Sequence, residues 1–225
     1  KAASLGKPPV AVVDFNPFSA WAKSAVGFAR RPSGLLQGIQ WRAKLMSAGV
    51  PYFYSSEIIS AEAGPTGQLG SVTIRQNRTN TTKTFEVDTA YFGNGLVPGD
   101  EIIGLLGAKR KLDPTTGGWM TVHDEHGRTN VPNLYVAGDT ARIRGGLPAA
   151  EQGRIVGLVA ARDAGKTVAN ATIDASIAKR KWLNGFAEAS CSLMHVGDDR
   201  IDGLADDVVL CRCEDVTVGQ VREPI

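Results

Sequence analysis

The chain has 225 residues, of which 43% are hydrophobic and 21% are charged, with 26 glycines and a formal net charge of +2. This composition is typical of a folded α/β protein with many loops, and it excludes a disordered chain and a coiled coil. The near-neutral charge argues against nucleic acid as a partner, and no apolar run approaches the roughly 20 residues that span a bilayer. Three cysteines, two of them in one Cys-x-Cys, do not make a disulfide framework, so we expect a cytoplasmic protein.

The first predicted element is a short apolar strand at residues 10–13 that ends at Asp14. An acid at the end of the second strand of a dinucleotide-binding βαβ unit accepts hydrogen bonds from a ribose hydroxyl, which makes Asp14 a candidate cofactor-binding residue. The glycine-rich phosphate loop would lie about 20 residues earlier, before Lys1, and we expect that the chain is cut at both ends. The alternative is that Asp14 only caps the next turn.

Two helices are predicted after this strand. Pro17 opens the first helix, and Ser33 is the predicted cap of the second, which Gly49 ends. Trp21 and Trp41 lie on these helices and are expected to be packing residues rather than cofactor contacts.

A parallel strand is predicted at residues 50–54. Three segments of alternating polarity follow, separated by turn clusters, at residues 58–61, 71–75 and 84–87. They predict a three-stranded meander.

Residues 89–98 predict a buried strand followed by a glycine loop, where Gly95 would let the backbone pass close to a cofactor. A short amphipathic segment then runs from residue 100 to Gly107. A hairpin is predicted over residues 119–139 with its turn at residues 124–127, and the turn histidines, His123 and His126, are expected to be surface residues rather than metal ligands.

The end of this hairpin, residues 131–139 (VPNLYVAGD), predicts a short buried strand closed by Gly138 and Asp139. A carboxylate at the carboxyl end of such a strand points into the crevice where open α/β sheets bind ligands. A helix is predicted next, over residues 148–164, with Pro148 in its first turn. Gly153 would allow a close approach of this helix to a cofactor, and packing of Gly153 and Gly157 on a sheet is the alternative.

The order of elements over residues 89–165 resembles that of the two-dinucleotide-domain flavoproteins, the glutathione-reductase-like superfamily. The resemblance implies FAD as a cofactor, with NAD(P) as a further possibility. It also implies that Asp139 holds a ribityl hydroxyl and that the following helix directs its N-terminus at the isoalloxazine ring. The cofactor-binding residues implied in this way are Gly95, Gly138, Asp139, Ala149, Ala150 and Gly153.

The sequence near residue 210 contains the second informative motif. A strand at residues 208–210 leads to Cys211 and Cys213, and Thr217 with Gln220 predicts a capping box at the start of a helix. Two thiolates beside free backbone N–H groups have a lowered pKa and suit a metal–sulfur centre. Half of a zinc site and two buried strand residues are the alternatives.

The residues VLCRCEDVT resemble the opening of the bacterioferritin-associated-ferredoxin-like 2Fe–2S domain, which implies Cys211 and Cys213 as metal ligands and a second cysteine pair further along. An FAD domain followed by a helical linker and this motif is the layout of one group of FAD/NAD-binding subunits. The group serves opine oxidases, hydrogen cyanide synthase, proline or hydroxyproline dehydrogenases and heterotetrameric sarcosine oxidase.

The predicted fold class is therefore α/β, the C-terminal part of a Rossmann-like flavoprotein with two dinucleotide-binding domains. The expected domains are the rest of the inserted NAD(P)-binding-like domain (1–90), the end of the FAD domain (91–165), a helical linker (166–204) and the truncated start of a 2Fe–2S domain (205–225). Cys191 and His195 lie in the linker, where Cys191 is expected to be a small buried residue and His195 has no assigned role.

The predicted function is that of one subunit in an FAD-dependent oxidoreductase. It would pass electrons from oxidation of an amine, imino acid or opine through FAD to a 2Fe–2S cluster, and its partner in a hetero-oligomer would be a substrate-oxidising flavoprotein subunit. The alternatives are an NAD(P)H-dependent FAD reductase and a non-catalytic nucleotide-fold protein with a zinc site. No residue pattern identifies a general base or a substrate.

Overall fold

The computed structural model describes residues 6–93, 95–194 and 202–223. They form a mixed α/β protein, as the sequence predicted, and His195 lies outside the described residues. The helices are α1 (Phe18–Ala29), α2 (Pro32–Ser47), α3 (Glu101–Leu105), α4 (Gly146–Asp163), α5 (Asn170–Ser192) and α6 (Val218–Arg222). The strands are β1 (Val12–Val13), β2 (Tyr52–Phe53), β3 (Ser56–Ala63), β4 (Leu69–Gln76), β5 (Thr81–Glu86), β6 (Arg110–Leu112), β7 (Trp119–Thr121), β8 (Val209–Cys211) and β9 (Val216–Thr217).

The first part of the chain is a strand–helix–helix–strand unit. β1 pairs in parallel with β2, with Val12 opposite Tyr52, and α1 and α2 form the connection between them. The predicted helices are confirmed, but α2 begins at Pro32 and not after a Ser33 cap. Proline fits this position because its missing N–H is one that a first turn leaves unpaired. Gly49 follows the end of α2 with a φ of +68°, a conformation that glycine adopts without strain.

The predicted three-stranded meander is confirmed. β3 pairs antiparallel with β4, and β4 pairs antiparallel with β5. The central strand carries the buried residues Val72 and Ile74 at alternate positions, as one covered face of a sheet requires.

The packing role predicted for Trp41 is wrong, because 61% of this side chain is exposed on α2. Trp21 is 37% exposed and packs its ring against Phe28, with ring centroids 6.2 Å apart. When a helix has apolar residues on several faces, its sequence does not specify which of these side chains are buried by tertiary packing.

The buried strand predicted within residues 89–98 is also wrong. The described residues of this segment contain no strand, and the side chains of Tyr91 and Phe92 are 94% and 66% exposed. A run of apolar residues becomes a strand only where another strand supplies the hydrogen bonds, and none of the described strands lies beside it.

Residues 131–139 are buried in part but do not form the predicted strand. Val136 is 3% exposed, yet only an isolated bridge joins Tyr135 to Arg128. The N–H of Val136 donates to the carbonyl of Gly127 at 2.8 Å, but the N–H of Leu134 donates within a turn, to the carbonyl of Val131 at 3.2 Å, so the pairing does not extend into a strand.

The turn at residues 124–127 is confirmed, because the N–H of Gly127 donates to the carbonyl of Asp124 at 3.1 Å. The strands of the predicted hairpin are different, since β7 forms its antiparallel pair with β6, which precedes it in the sequence. β7 meets the residues after the turn at its end, where the N–H of Thr121 donates to the carbonyl of Ala141 at 3.2 Å.

The two predicted C-terminal helices are confirmed as α4 and α5, and they form the described core. Ile155 and Val159 of α4 pack against Ile173 and Ile177 of α5, and all four residues are at most 7% exposed. Neither helix, nor any other in the described part of the chain, is long and apolar enough to cross a bilayer.

Candidate functional site

The N-terminus of α4 is open to a ligand. Gly145 precedes the helix with a φ of +80°, and a Cβ added at Gly145 or Gly146 would meet no described atom within 4 Å. The N–H groups of Gly146 and Leu147 lie in the first turn, where an α-helix supplies no carbonyl partner. Pro148, in the same turn as predicted, has no N–H to satisfy. This end therefore offers two backbone donors and the positive end of the helix dipole.

Asp139 lies in a single 3-10 turn, Gly138–Thr140, that precedes α4. Gly138 has a φ of +69°, and its carbonyl accepts the N–H groups of Ala141 and Arg142 at 3.0 and 3.1 Å. The Asp139 side chain is exposed and has no hydrogen bond or ion pair within the described ranges. Its carboxylate is therefore available to a ligand.

Asp139 and the start of α4 line the same cleft, which has a volume of about 180 Å³. The opposite wall is the second half of α5, including Phe186 and Cys191, and the chain just after it. Cys191 is 4% exposed, which confirms the prediction of a small buried residue. Burial raises the pKa of its thiol, so Cys191 is not a thiolate at neutral pH.

Two arginines and one buried carboxylate form a cluster beside this cleft. Asp113 has no exposed surface and accepts two hydrogen bonds from Arg142, from Nε to Oδ2 and from Nη2 to Oδ1, each 2.7 Å long. Arg144 lines the cleft, and its Nη1 lies 3.7 Å from Oδ2 of Asp113. The cluster therefore carries one more positive than negative charge.

The guanidinium of Arg144 is only partly satisfied. Nη1 donates to the carbonyl of Ile143 at 2.8 Å, but the buried Nη2 has no hydrogen-bond partner in the part of the chain that the structure describes. Burial lowers the pKa of Arg144 and the nearby Arg142 lowers it further. An arginine pKa starts so high that the side chain stays charged. The Cys191 thiol and Glu188 also lie near this guanidinium, and its unpaired nitrogen is a candidate donor to an anion.

Ala149, Ala150 and Gly153, the residues of α4 predicted to contact FAD, do not line this cleft. Ala149 is half-buried with its methyl group 3.9 Å from a Cβ built at Gly138, whereas Ala150 and Gly153 are exposed. A Cβ at Gly153 or Gly157 would meet no described atom within 4 Å, so the alternative that these glycines pack on a sheet is wrong.

Gly95 lies at the far end of the cleft. It has a φ of +92°, and a Cβ there would lie 2.8 Å from the carbonyl oxygen of Met194, which lines the cleft with Leu96. Glycine is thus required by a close approach to the protein backbone, and its role toward a cofactor stays a prediction.

Asp14 is away from this cleft, at the end of β1. Its carboxylate accepts hydrogen bonds from Asn16, Trp21 and Tyr52. The bond from the backbone N–H of Asn16, 2.9 Å long, is the turn-capping arrangement considered as the alternative to ribose binding.

Cys211 and Cys213 form a pair, with sulfur atoms 3.5 Å apart. Two thiolates bound tetrahedrally to one ion at 2.3 Å would lie about 3.8 Å apart, so the spacing suits a shared metal. The backbone N–H of Glu214 is the main cause of the lowered pKa of Cys211, followed by contacts with Cys213. The donors thus belong to the turn after β8, and not to the helix N-terminus that the sequence suggested.

The predicted capping box is confirmed one turn further along. The N–H of Gln220 donates to Oγ1 of Thr217 at 3.4 Å, and the N–H of Thr217 donates to the side chain of Gln220 at 2.8 Å. This cap fixes the start of α6 and orders the chain after the cysteine pair.

The turn histidines are partly exposed, and Nδ1 of His126 lies 3.8 Å from Oδ2 of Asp124. Within the described ranges, no three residues among His, Cys, Asp and Glu are grouped to hold a metal ion. His123 and His126 belong to no such group there, and the expectation that they are not metal ligands stays a prediction.

Sequence reasoning missed the arginine cluster. Arg142 and Arg144 alternate in the loop TARIRGG just before α4, and two basic residues beside a glycine-rich helix start are a signal for an anion site. The contribution of Asp113, 29 residues from Arg142, had no local signal.

A free carboxylate and a helix N-terminus in one cleft are also the elements with which α/β nucleotide-binding folds hold their ligands. A family model described as pyridine nucleotide-disulphide oxidoreductase matches residues 41–167. The chain therefore belongs to this family of oxidoreductases, and the matched region contains Asp139 and all of α4.

Curated relatives are similar to parts of the chain. An opine oxidase subunit of Agrobacterium tumefaciens (strain Ach5) is 31% identical over 136 residues, which are 58% of this chain and 27% of that protein. Hydrogen cyanide synthase subunit HcnB of Pseudomonas aeruginosa is 24% identical over 219 residues, 92% of this chain and 46% of that protein. The chain spans less than half the length of these relatives.

Among solved structures, the crystal structure of T. acidophilum thioredoxin reductase is similar to this chain. The match has a TM-score of 0.38 at 19% sequence identity and covers 72% of this chain and 40% of that one.

The residues of the cleft fit a flavin. Asp139 offers an acceptor without a described protein partner, the start of α4 offers two backbone donors, and Arg144 offers a buried nitrogen without a described partner. FAD has a hydroxyl-bearing chain that needs hydrogen-bond acceptors and a ring edge that needs donors. The cleft offers both kinds of group.

Proposed function

We propose that this chain is part of an FAD-dependent oxidoreductase subunit that accepts electrons from oxidation of an amine, imino acid or opine. The observation that carries the proposal is the convergence of Asp139, the N-terminus of α4 and Arg144 on one cleft. The relatives named opine oxidase and hydrogen cyanide synthase support an organic nitrogen compound as the substrate class.

Asp139 would accept hydrogen bonds from the hydroxyl groups of the ribityl chain, and Gly138 would keep the carboxylate at the edge of the cleft. The N–H groups of Gly146 and Leu147 would donate to the pyrimidine edge of the ring, and Arg144 would add a full positive charge there. Bound FAD would supply the two-electron chemistry. The protein groups stabilise negative charge at this edge, which favours the reduced form of the cofactor.

Cys211 and Cys213 would be two ligands of a 2Fe–2S cluster that receives these electrons one at a time. Their spacing of 3.5 Å and the lowered pKa of Cys211 support a role as thiolate ligands. The complete site needs further ligands.

The domain arrangement proposed from the sequence accompanies this function. Residues 1–90 would belong to an inserted nucleotide domain, 91–165 to the FAD domain, 166–204 to a linker and 205–225 to the cluster domain. Relatives named as subunits support a hetero-oligomer in which a partner oxidises the substrate.

The substitution Asp139→Ala in the complete protein tests the flavin site. Loss of hydrogen bonds to a charged acceptor costs about 1.5–3 kcal/mol, so we expect FAD affinity to fall roughly ten- to hundredfold. The protein is dialysed, the flavin that it retains is released, and the visible absorbance of that flavin per chain gives the occupancy. Asp174→Ala, at an exposed position on α5, is the matched control and should keep full occupancy. Unchanged flavin content in Asp139→Ala would refute the assignment.

A further inference from the structure

The carboxylate of Asp14 is saturated by the protein itself. Oδ1 accepts the backbone N–H of Asn16 at 2.9 Å and its side-chain Nδ2 at 3.1 Å. Oδ2 accepts Nε1 of Trp21 at 2.9 Å and the hydroxyl of Tyr52 at 2.8 Å. An ionised carboxylate has about four lone-pair positions, so these four donors occupy them all.

The donors come from three separate elements and are themselves held in place. Tyr52 lies on β2 directly beside β1, and the guanidinium of Arg42 covers its ring at 4.8 Å. Burial and the hydrogen bond to Asp14 raise the pKa of Tyr52, so the phenol remains a donor at any physiological pH. The amide of Asn16 also donates to the carbonyl of Leu193 at 2.7 Å, which ties the group to the end of α5.

A ribose could reach this carboxylate only by displacing donors. The two hydroxyl groups of a ribose would replace the indole of Trp21 and the phenol of Tyr52, and each displaced group would lose a hydrogen bond to a charged acceptor. The carboxylate would gain two hydrogen bonds from the ribose and lose two from the protein, so the exchange contributes no net binding free energy.

We propose that Asp14 is a structural carboxylate that joins β1, α1 and β2, and that the nucleotide unit around it does not bind NADH. This goes beyond the proposed function, because it removes NADH as the electron donor of the flavin.

Titration of the complete protein with NADH tests the proposal, by calorimetry for binding and by anaerobic flavin absorbance for reduction. We expect no saturable binding below about 1 mM, the upper end of ordinary Michaelis constants, and no loss of flavin absorbance. Saturable binding of NADH, or bleaching of the flavin by it, would overturn the proposal. Calorimetry does not depend on the flavin, so a protein purified without FAD would defeat the proposed function and still test this inference.

The substitution Asp14→Asn tests the structural role separately. It replaces one acceptor oxygen by a donor facing Trp21 and Tyr52 or Asn16, so we expect a lower Tm than that of Asp88→Asn, at an exposed position in the same part of the chain. Equal Tm values for the two variants would overturn the structural assignment. If Asp14→Asn does not fold, the titration of the unsubstituted protein still decides nucleotide binding.

Discussion

Arg144 shows how a single residue acquires a function from its neighbours. Arg142 takes both oxygens of Asp113, and Arg144 is left at 3.7 Å from that carboxylate with one nitrogen unpaired among the described residues. A buried charge is tolerated when it is paired or when it serves a ligand. The position of Arg144 in the wall of the cleft favours the second explanation.

Substitution of Arg144 by methionine is expected to lower the two-electron midpoint potential of the flavin, because a positive charge beside the reduced ring is lost. A change of about 30–60 mV corresponds to about 1.4–2.8 kcal/mol for a two-electron couple. Spectroelectrochemical titration of the complete flavoprotein measures it.

Two further variants serve as controls for this measurement. Arg144→Lys keeps the charge and should keep most of the potential. Arg154→Met removes a 57% exposed arginine from α4 and should leave the potential unchanged. Full flavin occupancy with an unaltered potential in Arg144→Met would count against a role of Arg144 toward the flavin.

At the scale of elements, the site depends on how α4 is joined to the loops before it. The core between α4 and α5 holds the helix, while the Asp113–Arg142 pair holds the loop that carries Asp139 and Arg144. Asp113 lies just after β6, so a strand of three residues anchors the cleft.

The substitution Asp113→Ala is expected to lower the free energy of unfolding by about 3–5 kcal/mol, because it leaves two arginines without their carboxylate. The hydrogen bonds from Arg142 hold the pKa of Asp113 well below its usual range. The folded pKa is depressed, so the stabilisation is present above the unfolded pKa of about 3.9 and is lost as the pH falls below it. Denaturant unfolding at a series of pH values measures both effects.

Asp174→Ala again provides a matched control and should change the free energy of unfolding by less than about 0.5 kcal/mol. If Asp113→Ala unfolds at the same denaturant concentration as the control, the buried pair contributes no stability.

Sequence patterns predicted the long helices and the meander because the information for them is local. Three such local signals are the apolar spacing in α4 and α5, Pro148 in the first turn of α4, and the Thr217–Gln220 capping box. The predicted strands at residues 89–98 and 131–139 failed because a strand requires a neighbour, and an apolar run does not specify one.

At the scale of the whole molecule, the proposed electron path has two ends. One is the cleft lined by Asp139 and the start of α4, and the other is the pair Cys211 and Cys213. The cleft is formed by α4 and α5, and the pair follows in the chain after α5. The order agrees with a flavin that collects two electrons and a metal–sulfur centre that passes them on singly.

The complete protein is expected to contain iron with acid-labile sulfide, and its reduced form should give an EPR signal. Cys211→Ser and Cys213→Ser should each lose most of the iron while keeping FAD, because the ligands belong to a turn that does not line the cleft. Cys191→Ala, which removes a buried thiol outside the pair, should keep its iron. Stoichiometric zinc in place of iron would contradict the cluster.

The sequence by itself determined the α/β class, the positions of the principal helices, the exposed Gly-Asp turn before α4 and the Cys-x-Cys motif, because each depends on residues close together in the chain. Only the tertiary structure decided which charged groups are satisfied. Tyr52 reaches Asp14 across 38 residues and fills its carboxylate, whereas Asp139 meets no described partner and stays available. Two aspartates that each follow a short apolar run thus differ in function, because hydrogen-bond capacity is limited and distant donors determine how much of it remains for a ligand.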